Sequence, residues 1–222
     1  MTARFSKKLL SLLTVISILF LTVSCGEEKN REYNEAEVRA AATELIKATE
    51  LLNEIYYGEG IPWYRSPTQG NGTYQPADDI WLDQKGFTTV QELKKMTTDV
   101  YTKDYCDDVF ASIFESMKDV NDNINSFARY IQIYDDLSVD EQIPLYILVN
   151  TKTVPLFTDE VEYHYDTLRI SRVKGQKVYA EIGVTVTNSE GKSQNSTIEV
   201  ALLEEADGWR LDEPTYIKYN AS

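Results

Sequence analysis

Cysteine and histidine are nearly missing from this 222-residue chain, which has two cysteines, Cys25 and Cys106, and one histidine, His164. Tetrahedral zinc centres draw on several Cys or His ligands, and so small a set excludes the common ones. Basic residues are also few beside acidic ones, 22 against 36, which gives a net charge of −14. Nucleic acid and anionic lipid repel such a polyanion, whereas a basic protein surface attracts it. The chain has no Gly-rich phosphate loop opening a helix, no Gly-x-Ser-x-Gly turn, and no histidine in the local sequence of either thiol. Internal repeats and low-complexity tracts are lacking too. The acidic pairs Asp78-Asp79, Asp107-Asp108, Asp135-Asp136 and Asp159-Glu160 lack the alternating ligands, Gly turn and terminal Glu of an EF-hand loop. They read as solvated surface, so neither a metal nor a cofactor is expected.

One long apolar run is present. Arg4, Lys7 and Lys8 precede Leu9 to Val23, an apolar stretch of about 15 residues broken only by Ser11, Thr14, Ser17 and Thr22. It is shorter than the roughly 20 residues of a spanning helix. A charged start, an apolar core and a small residue at its end make a secretory signal. Ending Leu21-Thr22-Val23-Ser24-Cys25-Gly26, the run resembles the lipobox of bacterial lipoproteins, with Thr22 where leucine is usual. The resemblance implies a signal peptide over residues 1–24 and a lipid on the Cys25 thiol. It also implies an extracytoplasmic chain anchored to the outer face of the bacterial cell membrane. An ordinary signal peptide, or an uncleaved anchor with Cys25 incidental, is the alternative.

Without residues 1–24 the chain keeps 19 basic and 36 acidic residues, a net charge of −17. With Cys25 lipidated, Cys106 has no intramolecular disulfide partner. It reads as a buried free thiol, because Asp104, Asp107 and Asp108 offer no basic neighbour to activate it.

Residues 25–33 are polar and read as a tether. Asn34, with Glu37 three residues on, can cap a helix in which Val38, Ala41, Ala42, Leu45, Ala48, Thr49, Leu52, Ile55 and Tyr56 fall on one face at three- and four-residue steps. Gly58 and Gly60 end it. From residue 58 to 86 the chain turns to Gly, Pro, Asn and aromatics, a long loop of the kind that serves as lid, binding edge or insert. Thr89 with Glu92 has capping-box spacing, and Thr102 can cap a helix over Lys103 to Lys118. Thereafter the period is two. Phe127 to Tyr134, Leu145 to Val149, Glu160 to Val173, Lys177 to Thr187, Ser196 to Leu203 and Trp209 to Asp212 are strand candidates joined by turns. The pattern predicts a single α+β domain over residues 34–222. Residues 34–128 would be mainly helical, with the aromatic loop at 58–86, and residues 129–222 would form an antiparallel meander packed against the helices.

Two groups of residues are candidates for function. Trp63, Tyr64, Tyr74 and Trp81 lie beside Gly and Pro in the long loop, and exposed aromatics of this kind favour protein or glycan binding. They could equally pack as a cap over the domain. His164 and Asp166 fall on one face of a strand, with Tyr163 and Tyr165 on the other. An Asp–His pair can act as general base, and a lone strand histidine is more often a hydrogen-bonded surface residue.

Helices followed by an antiparallel sheet, with the Lys177–Thr187 and Ser196–Leu203 hairpin and a closing Asp207-Gly208-Trp209-Arg210-Leu211-Asp212, resemble the NTF2-like cone fold. That resemblance implies N-terminal helices on a curved antiparallel sheet, and a cavity that could serve a small-molecule carrier or an enzyme. A narrower resemblance is to the DL-endopeptidase inhibitor family of Gram-positive bacteria. It rests on Leu52-Asn53-Glu54-Ile55-Tyr56-Tyr57-Gly58-Glu59-Gly60-Ile61-Pro62 and on Thr88-Thr89-Val90-Gln91-Glu92-Leu93-Lys94. It implies a non-enzymatic protein that binds and restrains a cell-wall hydrolase, with no inhibitory residue assigned.

Overall fold

The first helix, α1 (Glu35–Tyr56), begins where Asn34 Oδ1 accepts hydrogen bonds from the backbone of Ala36 and Glu37. Glu35 and Glu37 in its first turn complement the helix dipole. Its buried stripe runs Val38, Ala42, Ile46, Thr49, Asn53, Tyr56, at steps of three and four that keep one face inward. Ile46 stands at the centre of this stripe, while Ala48 faces solvent. The computed structural model describes residues 32–118, 124–135 and 142–216. Residues 1–31, on which the expected signal peptide, Cys25 and most of the expected tether fall, and residues 217–222 lie outside the described residues.

Three shorter helices follow: α2 (Asp79–Lys85), α3 (Val90–Thr98) and α4 (Lys103–Phe114). Asp78 caps α2, and Gly86 closes it in the left-handed region at φ +82°. Thr89 and Glu92 form both halves of a capping box on α3. Thr102 precedes α4, but its hydroxyl donates to Asp212 Oδ1 at 2.7 Å instead of capping the helix. The helix stops at Phe114, short of the predicted Lys118, because Glu115 turns extended.

Among the described residues the strands make three antiparallel sheets. The largest runs β6 (Glu160–Lys174), β7 (Lys177–Thr187), β8 (Ser193–Glu205), β9 (Gly208–Leu211) in simple meander order. In β7, Val178, Ala180, Ile182, Val184 and Val186 are buried at every second position. The opposite face carries ion pairs between strands, Arg169 with Glu181 and Arg172 with Glu199. A second sheet is ordered β1 (Tyr74–Pro76), β5 (Pro144–Asn150), β4 (Tyr130–Tyr134). β2 (Met117–Lys118) and β3 (Ile124–Ser126) pair as a short ribbon.

α1 packs on β6 and β9, and α3 and α4 pack on β4. One continuous core joins them, with Ile46, Leu52, Leu93, Ile147, Ile182 and Leu202 all sealed from solvent. Burying each such side chain stabilises by roughly 1.5–3 kcal/mol. The architecture is α+β, with helices packed against antiparallel sheets.

Two boundaries differ from the sequence reading. The stretch 58–86 is not one loop, since β1 and α2 occupy its second half, leaving residues 57–73 irregular. Asp78 and Gly86 supply the missing start and stop. Nor do residues 129–222 form one meander. The segment 151–159, which contains Pro155, carries no strand, and β5 recruits β1 from the N-terminal half as its second neighbour.

Candidate functional site

The C-terminus of α1 has no basic residue in its last turn, and its orphan carbonyls need donors. Arg129, just before β4, supplies them: Nη1 donates to Tyr56 O at 2.7 Å and Nη2 to Gly58 O at 2.6 Å. The neighbouring Tyr130 hydroxyl donates to Ile55 O at 2.6 Å and accepts from Ile61 N at 3.1 Å. A buried guanidinium at this end of a helix also meets the negative pole of its dipole. Burial raises the Tyr130 phenol, so it stays a neutral donor. Gly60 sits against this pair at φ +86°; a Cβ there would run into the Arg129 guanidinium and lie 2.7 Å from the Tyr130 hydroxyl.

From this anchor the chain runs antiparallel to β1. Trp63 bridges Ala77, Tyr64 N donates to Pro76 O, and Asp78 N donates to Pro62 O. The buried Gln75 amide braces the rest of the loop: its Oε1 accepts from Ser66 N at 2.8 Å and its Nε2 donates to Asn71 O at 2.5 Å. Asn71 Oδ1 in turn accepts from Thr73 N and Tyr74 N, an Asx turn that lets Tyr74 enter β1.

On this braced backbone Trp63 and Tyr64 remain 47% and 44% exposed. The Tyr64 hydroxyl donates to Gln69 Oε1 across the loop. Ile80, on the first turn of α2, is 72% exposed. Exposed aromatics held by a rigid backbone lose little entropy on binding.

The other two loop aromatics serve elsewhere. Tyr74 is only 7% exposed, its hydroxyl donates to Ala128 O at 2.8 Å, and burial raises its phenol. It belongs to the core, because its position in β1 pairs it with Asn150. Trp81 is half-buried on α2, edge-on to Phe87 with Lys85 over its ring. The predicted four-residue aromatic surface is therefore reduced to Trp63 and Tyr64.

His164 shares the outer face of β6 with Glu162, and its Nε2 lies 2.8 Å from Thr185 Oγ1 on β7. Asp166 is exposed in the irregularity between His164 and Arg169, where the β6–β7 register shifts. His164 thus has a hydroxyl rather than a carboxylate as its ring partner. Cys106 is buried on α4, its thiol donates to Tyr101 O at 3.6 Å, and burial, then the Asp107 charge, pushes its pKa up to about 12. That protonation state opposes nucleophilic use at neutral pH.

Of the residues that hold the loop, sequence reasoning missed Arg129 and Gln75, and named Gly60 only as an end of the helix. A polar Arg129 beside the apolar Tyr130-Ile131 was the available signal. Among the described residues no group of three His, Cys, Asp or Glu could hold a metal, and no helix is long and apolar enough to cross a membrane. Comparisons with protein-family models, curated proteins and solved structures return no match for this chain.

Proposed function

We propose that this chain is a lipid-anchored extracytoplasmic protein that binds and restrains a cell-envelope protein, with a basic peptidoglycan hydrolase as the favoured partner. The observation that carries the reading is the pair Trp63 and Tyr64, left exposed on a loop whose backbone is fixed by Arg129, Tyr130 and Gln75. The lipobox-like ending at Cys25 and the net charge of −17 support the compartment and the basic partner. A small-molecule carrier or enzyme with an NTF2-like cavity would need open space between α1 and the large sheet. The buried side chains of Val38, Ile46, Ile182 and Leu202 take up the core there, and what stays open is a cavity of about 220 Å³ where Glu50, Asn53 and Glu54 face the start of β6.

The test is purification of the full chain in non-ionic detergent, capture from envelope extract, and assay of captured hydrolases on peptidoglycan. Capture with inhibition, weakened by salt and lost in Trp63→Ala/Tyr64→Ala while Cys25→Ser abolishes only membrane retention, is the expected result. Hydrolase binding that is indifferent to both aromatics would overturn the reading.

A further inference from the structure

A cavity of about 220 Å³ lies between the second half of α1 and the start of β6 with the segment before it. Glu50 and Glu54, four residues apart on α1, share one helix face and line one wall. Asp159 and Glu160 line the other. No lysine, arginine or histidine is among the described residues that line it. The third wall is aromatic. The Phe157 and Tyr216 rings stack with centroids 5.7 Å apart, and Tyr57 backs Tyr216 at 4.7 Å. Tyr163 completes this wall, its hydroxyl tied to Thr215 O.

Asn53 also lines the cavity and is 5% exposed. Its Nδ2 donates to Thr215 Oγ1 at 2.8 Å, and Thr215 Oγ1 lies 2.5 Å from Thr49 Oγ1. Its Oδ1, in contrast, accepts no hydrogen bond among the described residues. A buried acceptor without a donor is uncommon, and one beside a cavity points to a donor arriving from a ligand.

We propose that this cavity binds a primary ammonium group, carried by a lysine side chain or by a free alkylamine. Each wall has its part. Glu50, Glu54 and Glu160 supply the opposite charge, the ring faces attract a cation through their quadrupoles, and Asn53 Oδ1 takes an N–H. The volume is below the roughly 300–1,000 Å³ of drug-sized pockets, which suits a side-chain-sized cation rather than a glycan strand. The site shares no residue with the Trp63–Tyr64 surface, so it does not depend on the reading above.

The experiment is a titration of the ¹⁵N-labelled full chain in non-ionic detergent, followed by amide shifts. The probes are n-butylammonium, Nα-acetyl-lysine methylamide, its neutral Nε-acetyl derivative, and tetramethylammonium. Both primary amines should give saturable shifts localised to Glu50, Asn53 and Tyr163. Tighter binding of the lysine derivative would identify a polypeptide side chain as the source, and tighter binding of butylammonium a free amine. The neutral derivative should not bind, and tetramethylammonium, which has no N–H, should bind more weakly. Glu54→Gln and Glu160→Gln should each weaken binding by about threefold to fivefold, as loss of a partly exposed ion pair does. The titrations are repeated in Lys218→Ala, since Lys218 follows Tyr216 by two residues and would compete if it entered. Equal binding of the neutral derivative, or of tetramethylammonium, would overturn the proposal. So would wild-type affinity in both glutamine variants, or no localised shift even in Lys218→Ala.

Discussion

Replacing Gly60 with alanine tests the anchor that holds the aromatic loop. The backbone there has φ +86°, which costs an L-residue about 1–2 kcal/mol. The added methyl also meets the Arg129 guanidinium and the Tyr130 hydroxyl. Moving Arg129 aside breaks its bond to the Gly58 carbonyl, a charged hydrogen bond worth about 1.5–3 kcal/mol. The expected loss is about 2.5–5 kcal/mol, a large share of a domain's usual stability. Gly86 provides the matched control. Its φ is nearly the same, +82°, but a Cβ there has nothing within 4 Å. Gly86→Ala should therefore lose only the backbone component, about 1–2 kcal/mol. Urea unfolding followed by circular dichroism measures both, and for a domain of this size each kcal/mol lowers Tm by roughly 2–4 °C. The refuting result is equal destabilisation of the two variants. It would mean that Arg129 and Tyr130 yield without loss and do not fix the loop.

Two further outcomes follow from groups with shifted titration. Backbone and hydroxyl donors from Thr88, then Thr89, hold the Glu92 carboxyl below its usual value. A depressed folded-state pKa gives stability that is present above the unfolded value of about 4.3 and lost as pH falls through the lower folded value. Glu92→Ala should thus lose about 0.5–1 kcal/mol at pH 7. That difference from wild type should shrink below about pH 4 in urea titrations; a gap unchanged down to pH 3 would contradict the capping box. For Cys106, with its thiol pKa near 12, alkylation at pH 8 should be roughly a thousandfold slower in the native protein than in denaturant. Rapid native labelling, located by mass spectrometry, would show that α4 does not seal it.

The hairpin strands were legible because their signal is local. The alternation Val178, Ala180, Ile182, Val184, Val186 stands within one strand, and Gly175 and Gly191 mark the turns beside it. The long helix was legible for the same reason, although Ile46 was passed over and Ala48 included where the true stripe drifts around the helix. β1 was not legible. Three residues with a proline carry almost no strand signal of their own, and Tyr74–Pro76 are extended because β5 offers a partner some 70 residues away. The break between the two larger sheets was hidden likewise. Strand pairing follows from which edges meet, and Pro144 to Asn150 reads the same whether its second neighbour is β1 or β6.

The candidate surface shows the same division at the level of single side chains. Composition marks the aromatics of residues 58–86 as one group, yet their fates depend on where each hydroxyl or ring finds a partner. Tyr74 reaches the carbonyl of Ala128, 54 residues on, and so is buried. Tyr64 finds only Gln69 within its own loop and so stays at the surface. What separates them is long-range hydrogen bonding set up by Arg129, Tyr130 and Gln75, polar groups whose burial is tolerable only because each is satisfied. A loop fixed from outside in this way would have little entropy left to lose if Trp63 met the proposed partner. The stability of the anchor and the affinity of the surface should therefore fall together in Gly60→Ala, even though residue 60 touches no partner.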